Sequence, residues 1–137
     1  MDTDQDFNGW VAVKAIIVKD GKVLVVRDHH DSNIWEFPGG HLSVDENVAD
    51  GLVREVKEEI GADIRIGNLI YSEQRIFKGR GTPHLFLMFA ATLIYPSQPF
   101  MVPSQEIAEA RWIDKTSFTD FKFYEECKNA LEVFWKI

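Results

Sequence analysis

Arg54, Glu55, Glu58 and Glu59 set three carboxylates and a guanidinium within six residues. If the segment is helical, at ~100° per residue the three glutamates fall within roughly a third of a turn of one another. Like charges at these spacings repel and cost helix stability. A divalent cation would remove that cost. Oxygen ligands supplied a few at a time, completed by water and a substrate phosphate, suit Mg²⁺. The planar fork of Arg54 can hold a neighbouring carboxylate in place. Upstream, Gly39 and Gly40 let the backbone approach closely and can point a carbonyl at the ion. Residues 37–62 therefore read as a loop–helix–loop that holds metal against a diphosphate. The competing reading is a solvated acidic helix face after a turn, and Glu58-Glu59 alone would favour it.

The helix needs a start, a stop and a floor. Ser43 followed by Glu46 fits a capping box, which places the start near Val44 or Asp45. Gly61 stops the helix as a residue that accepts the left-handed conformation. Ala49, Leu52, Val53, Val56 and Ile60 form the apolar face that would lie on a sheet. Gly51 lies one turn before Glu55, where its lack of a side chain leaves room for substrate, at ~1 kcal/mol against Ala.

The flanking chain supplies that sheet. Trp10–Val18 and Lys22–Arg27 read as strands joined at Asp20-Gly21, a hairpin signal. Asp28–Asn33 is a polar loop with His29 and His30. Ile34–Phe37 is a short strand that runs into a turn at Pro38-Gly39-Gly40. Ile64–Tyr71 is a strand, bulged near Gly67, and Lys78–Gly81 is a hairpin tip. The apolar run from His84 to Ile94 fits a central strand buried on both faces. Three prolines mark a loop over Tyr95–Ser104, and Glu109–Ile113 is a last strand. Phe123, Cys127, Leu131 and Phe134 recur at helical spacing within Thr116–Trp135. This order implies an α/β fold with a mixed sheet between helices.

Composition sets outer bounds. With 137 residues, the chain suits one domain with one core, led by a loose polar segment at 1–8. A net charge of -7, from 22 acids against 15 bases, argues against a nucleic-acid-binding surface. The single cysteine, Cys127, excludes an internal disulfide and a thiolate cluster. No apolar run reaches the ~18 residues of a membrane span, and no signal peptide is evident. A soluble, cytoplasmic protein, monomer or homodimer, is the expectation.

Gly40, Glu46, Arg54, Glu55, Glu58, Glu59 and Gly61 match a seven-position template of fixed spacing. A chance match at one start is on the order of 10⁻⁸ from average residue usage. The segment resembles the signature box of the Nudix hydrolases, which meets its required positions in full. Ala62 fills the final aliphatic place with a small residue. Asp45 and Ser43 miss softer preferences for glycine and an acid. The box covers about a sixth of the chain. Trp35-Glu36-Phe37-Pro38 and Arg111-Trp112-Ile113 look like further landmarks.

The resemblance implies an α/β/α sandwich, with the sheet between the box helix and a C-terminal helix. It also implies hydrolysis of a nucleoside diphosphate linked to another group. On this reading Glu55, Glu58 and Glu59 hold Mg²⁺ or Mn²⁺, and the Gly39 carbonyl adds a ligand. Arg54 orients Glu55, and Glu46 braces the loop through Arg54. Glu106, six residues ahead of Trp112, matches the spacing of a further acidic ligand, with Glu109 as runner-up. The general base is one of Glu55, Glu59 or Glu106. Arg27, Gly40, Arg75 and Phe77 are candidates for substrate contact, and Lys78 and Arg80 more weakly so. The short chain and Glu36-Phe37-Pro38-Gly39-Gly40 look like members that cleave nucleoside triphosphates, oxidised ones included. ADP-ribose, nucleotide sugars or dinucleoside polyphosphates are the alternatives, although Pro83 comes too late for an ADP-ribose landmark. A silent nucleotide sensor is the reading from another class.

Overall fold

The computed structural model describes residues 6–30, 33–76 and 81–137. Among these, strands β1 (Trp10–Lys19), β2 (Lys22–Asp28), β3 (Gly39–His41), β4 (Ile64–Ile76), β5 (Pro83–Leu93) and β6 (Ile107–Ile113) build one mixed sheet. Helices α1 (Val48–Ile60) and α2 (Glu125–Trp135) pack on opposite faces of it. The strand order is β4-β5-β1-β2-β6. β1 and β5 run parallel while the other pairings are antiparallel.

Alternation along β1 feeds both faces. Ala12 and Ile16 join the cluster under α2, with Phe37, Met88, Cys127 and Leu131. Val13, Ala15 and Ile17 join the cluster under α1, with Leu52, Val56, Ile60 and Ile64. A side chain such as Leu52 or Ile60, fully buried here, contributes roughly 1.5–3 kcal/mol by leaving water.

One feature of the sheet positions the site. After the hairpin at Asp20-Gly21, β1 and β2 pair only at Val18–Val23 and Lys19–Lys22, then part. The segment from Glu36 to His41 threads into the split. Glu36 exchanges backbone hydrogen bonds with Val26, both 2.8 Å, and the Ala15 N–H donates to the Pro38 carbonyl at 2.9 Å. Gly39 and Gly40 are therefore strand residues paired with β1, not the turn that Pro-Gly-Gly suggests.

Helix α1 also starts later than the capping-box reading places it. Asn47 is the N-cap, and its side chain accepts the Asp50 N–H at 3.0 Å. Glu46 still accepts the Ser43 N–H at 3.0 Å, so the reciprocal contact survives as a turn ahead of the helix. Gly61 ends α1 with φ 71°, and its N–H donates to the Lys57 carbonyl. The core face of α1 is Val48, Leu52, Val56 and Ile60, whereas Ala49 and Val53 are exposed. β4 runs on to Ile76 with register shifts between Ile66 and Tyr71, around the expected bulge. The C-terminal helix is shorter than its apolar spacing suggests, because Phe118–Asp120 forms a separate 3₁₀ turn. No described helix is long and apolar enough to cross a membrane.

Candidate active site

Glycine geometry draws α1 against the split. Gly39 has φ 144°, and an added Cβ would overlap the Val13 carbonyl oxygen. Only glycine fits such a position. Lys14 and Gly39 face each other between the hydrogen-bonded pairs Ala15–Pro38 and Val11–Leu42. Gly39 therefore turns its N–H and carbonyl away from β1. The N–H donates to Glu59 Oε1 at 2.8 Å. At Gly40, an added Cβ would stand 2.5 Å from Glu55 Oε2, so that carboxylate rests on bare backbone.

The three helical glutamates are not equivalent. Glu58 is exposed, Glu55 is half-buried and Glu59 is buried at 7% exposure. Burial pushes Glu59 up to about 8, against the pull of Lys14 and the Gly39 N–H, with Glu36 and Glu106 adding to the rise. Burial also raises Glu55 despite Arg54, and Glu58 and Glu106 push it further. Glu106, on the loop before β6, thus acts on both.

Arg54 gathers the loop and helix. It forks onto Glu46 with Nε–Oε2 at 3.0 Å and Nη2–Oε1 at 2.6 Å. It also reaches Glu55 Oε1 at 3.2 Å and Glu58 Oε2 at 3.1 Å. This pairing, with the Ser43 N–H, holds Glu46 down to about 2. Glu46 thus anchors Arg54. The space above Gly51 is filled by Leu42 and Glu46, not open to substrate.

Glu106 is held by its own loop. The Ser104 N–H donates to the Ile107 carbonyl at 2.8 Å, and the Ile107 N–H donates to Ser104 Oγ at 3.0 Å. His29 Nε2 donates to the Ser104 carbonyl at 2.9 Å. The Met101 N–H caps the Ile60 carbonyl at 2.8 Å and ties this loop to the end of α1. Glu109 instead pairs with Arg27 at 2.9 Å and Arg111 at 2.6 Å on the β2–β6 ladder. Arg27 is therefore engaged there, with its guanidinium 5.9 Å from the Trp35 ring. Arg75 lies on the α2 side, bonded to Glu73 and 3.8 Å from Glu126. Phe77, Lys78 and Arg80 fall outside the described residues.

Two recesses flank segment 36–41 and share Glu36 as a lining residue. One lies on the α1 side and is lined by Asp28, His29, His30, Glu36, Glu59 and Glu106, among others. The other lies on the α2 side, with Lys14, Glu36, His41, His84, Tyr124 and Glu126 on its walls. Lys14, His84 and Glu126 are each less than a tenth exposed. Sequence reasoning assigned no role to Lys14, Glu36 or Glu126. The available signal was a lysine interrupting an otherwise apolar strand.

The donors around Glu59 are oxygens, which suit a hard divalent cation and not a thiolate metal. Among the described residues no three His, Cys, Asp or Glu side chains already converge as a metal cage. Glu55 and Glu58 lean on Arg54, and Glu59 leans on the Gly39 N–H. Burial, helped by neighbouring carboxylates, raises Glu55 and Glu59, and such a cation would offset that cost, so the acids nonetheless fit it.

The NUDIX domain model matches residues 10–133. CTP pyrophosphohydrolase of Escherichia coli (strain K12) is 41% identical over 71 residues, 50% of this chain and 53% of that protein. Phosphatase NudJ of the same strain is 33% identical over 110 residues, 78% of this chain and 69% of that protein. A crystal structure of UDP-X diphosphatase has TM-score 0.79 at 22% identity, covering 98% of this chain and 65% of that one. The E. coli ORF135 protein has TM-score 0.75 at 26% identity, covering 95% and 91%. The matched stretch spans about half the length of CTP pyrophosphohydrolase. With a family match that runs from the first strand into the last helix, the chain belongs to the Nudix hydrolase family.

Proposed function

We propose that the protein is a Mg²⁺- or Mn²⁺-dependent pyrophosphohydrolase that converts a nucleoside triphosphate to its monophosphate and pyrophosphate. The observation that carries this reading is the pair Glu55 and Glu59. Both are set against the Gly39-Gly40 backbone, and both feel Glu106. The ion would be held by Glu55, Glu58, Glu59 and Glu106, with the Gly39 carbonyl as a further donor. When bound, it supplies charge neutralisation on the phosphates and makes a water acidic enough to attack near neutral pH.

The residues of the chain do the positioning. Arg54, anchored on Glu46, keeps Glu55 directed at Gly40. The Gly39 N–H fixes one oxygen of Glu59. Water attacks one phosphorus and its proton passes to Glu55, Glu59 or Glu106, while the other phosphate departs. The nucleoside end would enter the α2-side recess, where Arg75 supports Glu126. Arg27 would meet phosphate only by leaving Glu109. The resemblance to CTP pyrophosphohydrolase, at 41% identity, favours triphosphates over ADP-ribose and nucleotide sugars.

A panel of nucleoside triphosphates, ADP-ribose, nucleotide sugars and dinucleoside polyphosphates, assayed with Mg²⁺, tests the reading. Pyrophosphate released from a triphosphate supports it. Turnover of ADP-ribose alone transfers the activity to the second class. Tight nucleotide binding with no turnover on any member establishes a sensor.

A further inference from the structure

We propose that Lys14 is a positioning residue that tunes the affinity of the acidic site for divalent cation, acting as a buried counter-charge on the far side of Gly39. The inference rests on the reading of Glu59 as a metal ligand. Lys14 is 8% exposed in the middle of β1, and its side chain lines the α2-side recess. Its ammonium sits 2.7 Å from Glu36 Oε1. Glu36 in turn lines the α1-side recess together with Glu59 and Glu106. Lys14 also stands opposite Gly39 in the ladder, and the Gly39 N–H carries Glu59. Because Gly39 has no side chain, only backbone separates the cation on one face from the carboxylate on the other.

Burial alone would depress the Lys14 ammonium, yet Glu36 and then Glu59 hold it well above the ordinary lysine value. These carboxylates therefore favour the charged form of the lysine. A fixed positive charge this near a metal site opposes a second cation, and Glu36 partly cancels it. The pair thus sets the field that an incoming ion meets. The role differs from ordinary packing in sign. Loss of a packing residue weakens binding, whereas loss of this charge strengthens it.

The test measures Mn²⁺ alone, without nucleotide, by electron paramagnetic resonance titration of the full chain at low ionic strength. Lys14→Met should bind Mn²⁺ at least about threefold more tightly. Glu36→Gln, which leaves the ammonium uncompensated, should bind it more weakly by a similar factor. Lys14→Arg should stay near wild type. Unchanged or weakened binding by a folded Lys14→Met overturns the proposal. Should that variant not fold, unchanged or tighter binding by Glu36→Gln overturns it instead. Glu59→Gln separates the two levels. If it leaves Mn²⁺ affinity intact, the metal assignment itself falls and takes this inference with it. If it weakens binding while Lys14→Met and Glu36→Gln match wild type, only the inference falls.

Discussion

The two faces of the sheet treat charge differently. On the α1 side, Glu55, Glu58, Glu59 and Glu106 outnumber the guanidinium of Arg54, and burial raises Glu55 and Glu59. On the α2 side the described charges are more nearly matched, with two bases against three acids. Lys14 pairs with Glu36, and Arg75 pairs with Glu73 while approaching Glu126. On the proposed reading, a surplus of carboxylate beside bare glycine backbone would take a cation and the phosphates. The more evenly charged recess, walled by His84, Phe86 and Tyr124, would on the proposed reading take the uncharged end of a ligand.

Substitutions on the α1 side should act on turnover, and those on the α2 side on substrate choice. Glu59→Gln should lower kcat about a thousandfold, as expected when several kcal/mol of charge stabilisation is withdrawn. Far-UV circular dichroism should show the fold kept. Wild-type rates would remove Glu59 from the site. Gly40→Ala sets a methyl group 2.5 Å from Glu55 Oε2. A displaced carboxylate of this kind should cost about a hundredfold in kcat. A rate within twofold of wild type would mean that Glu55 can move without loss. Glu46→Gln loosens the fork that holds Arg54, and a loss of about tenfold is expected for a group that orients a ligand.

Glu126→Gln provides the contrast. KM should change several-fold, unequally among nucleoside triphosphates, with kcat nearly unchanged. A uniform fall in kcat would erase the distinction between the faces.

The smallest effect is on stability against pH. The folded-state value of Glu59, about 8, lies above its ordinary value, ~4.3. Between these values the native protein keeps a proton that the unfolded chain releases, so stability falls as pH rises. In EDTA, Tm should decline across this window and level off above it. Glu59→Gln should flatten the decline, and Mn²⁺ should counteract it. A Tm independent of pH would mean that Glu59 is not buried as an uncompensated acid.

Local rules carried the reading far where spacing was dense. The hairpin at Asp20-Gly21, the stop at Gly61 and the bulge near Gly67 all follow from signals carried by a few neighbouring residues. They failed where a distant partner intervened. Pro38-Gly39-Gly40 reads as a turn, but β1 has an open edge that the segment fills. Val53 carries an apolar side chain but faces solvent, while Glu59 turns inward because a backbone N–H waits there.

The sequence by itself determined the family signature. Seven residues at fixed spacing specify which acids share a helix end, because helical periodicity is a property of the local chain. Tertiary structure alone decided which of those acids is buried. It also set Arg27 on Glu109 and joined Lys14 to Glu36 across 22 residues. Those outcomes depend on how β1 and β2 part and on what enters the gap. Long-range pairing of that kind leaves no period in the sequence from which it can be read.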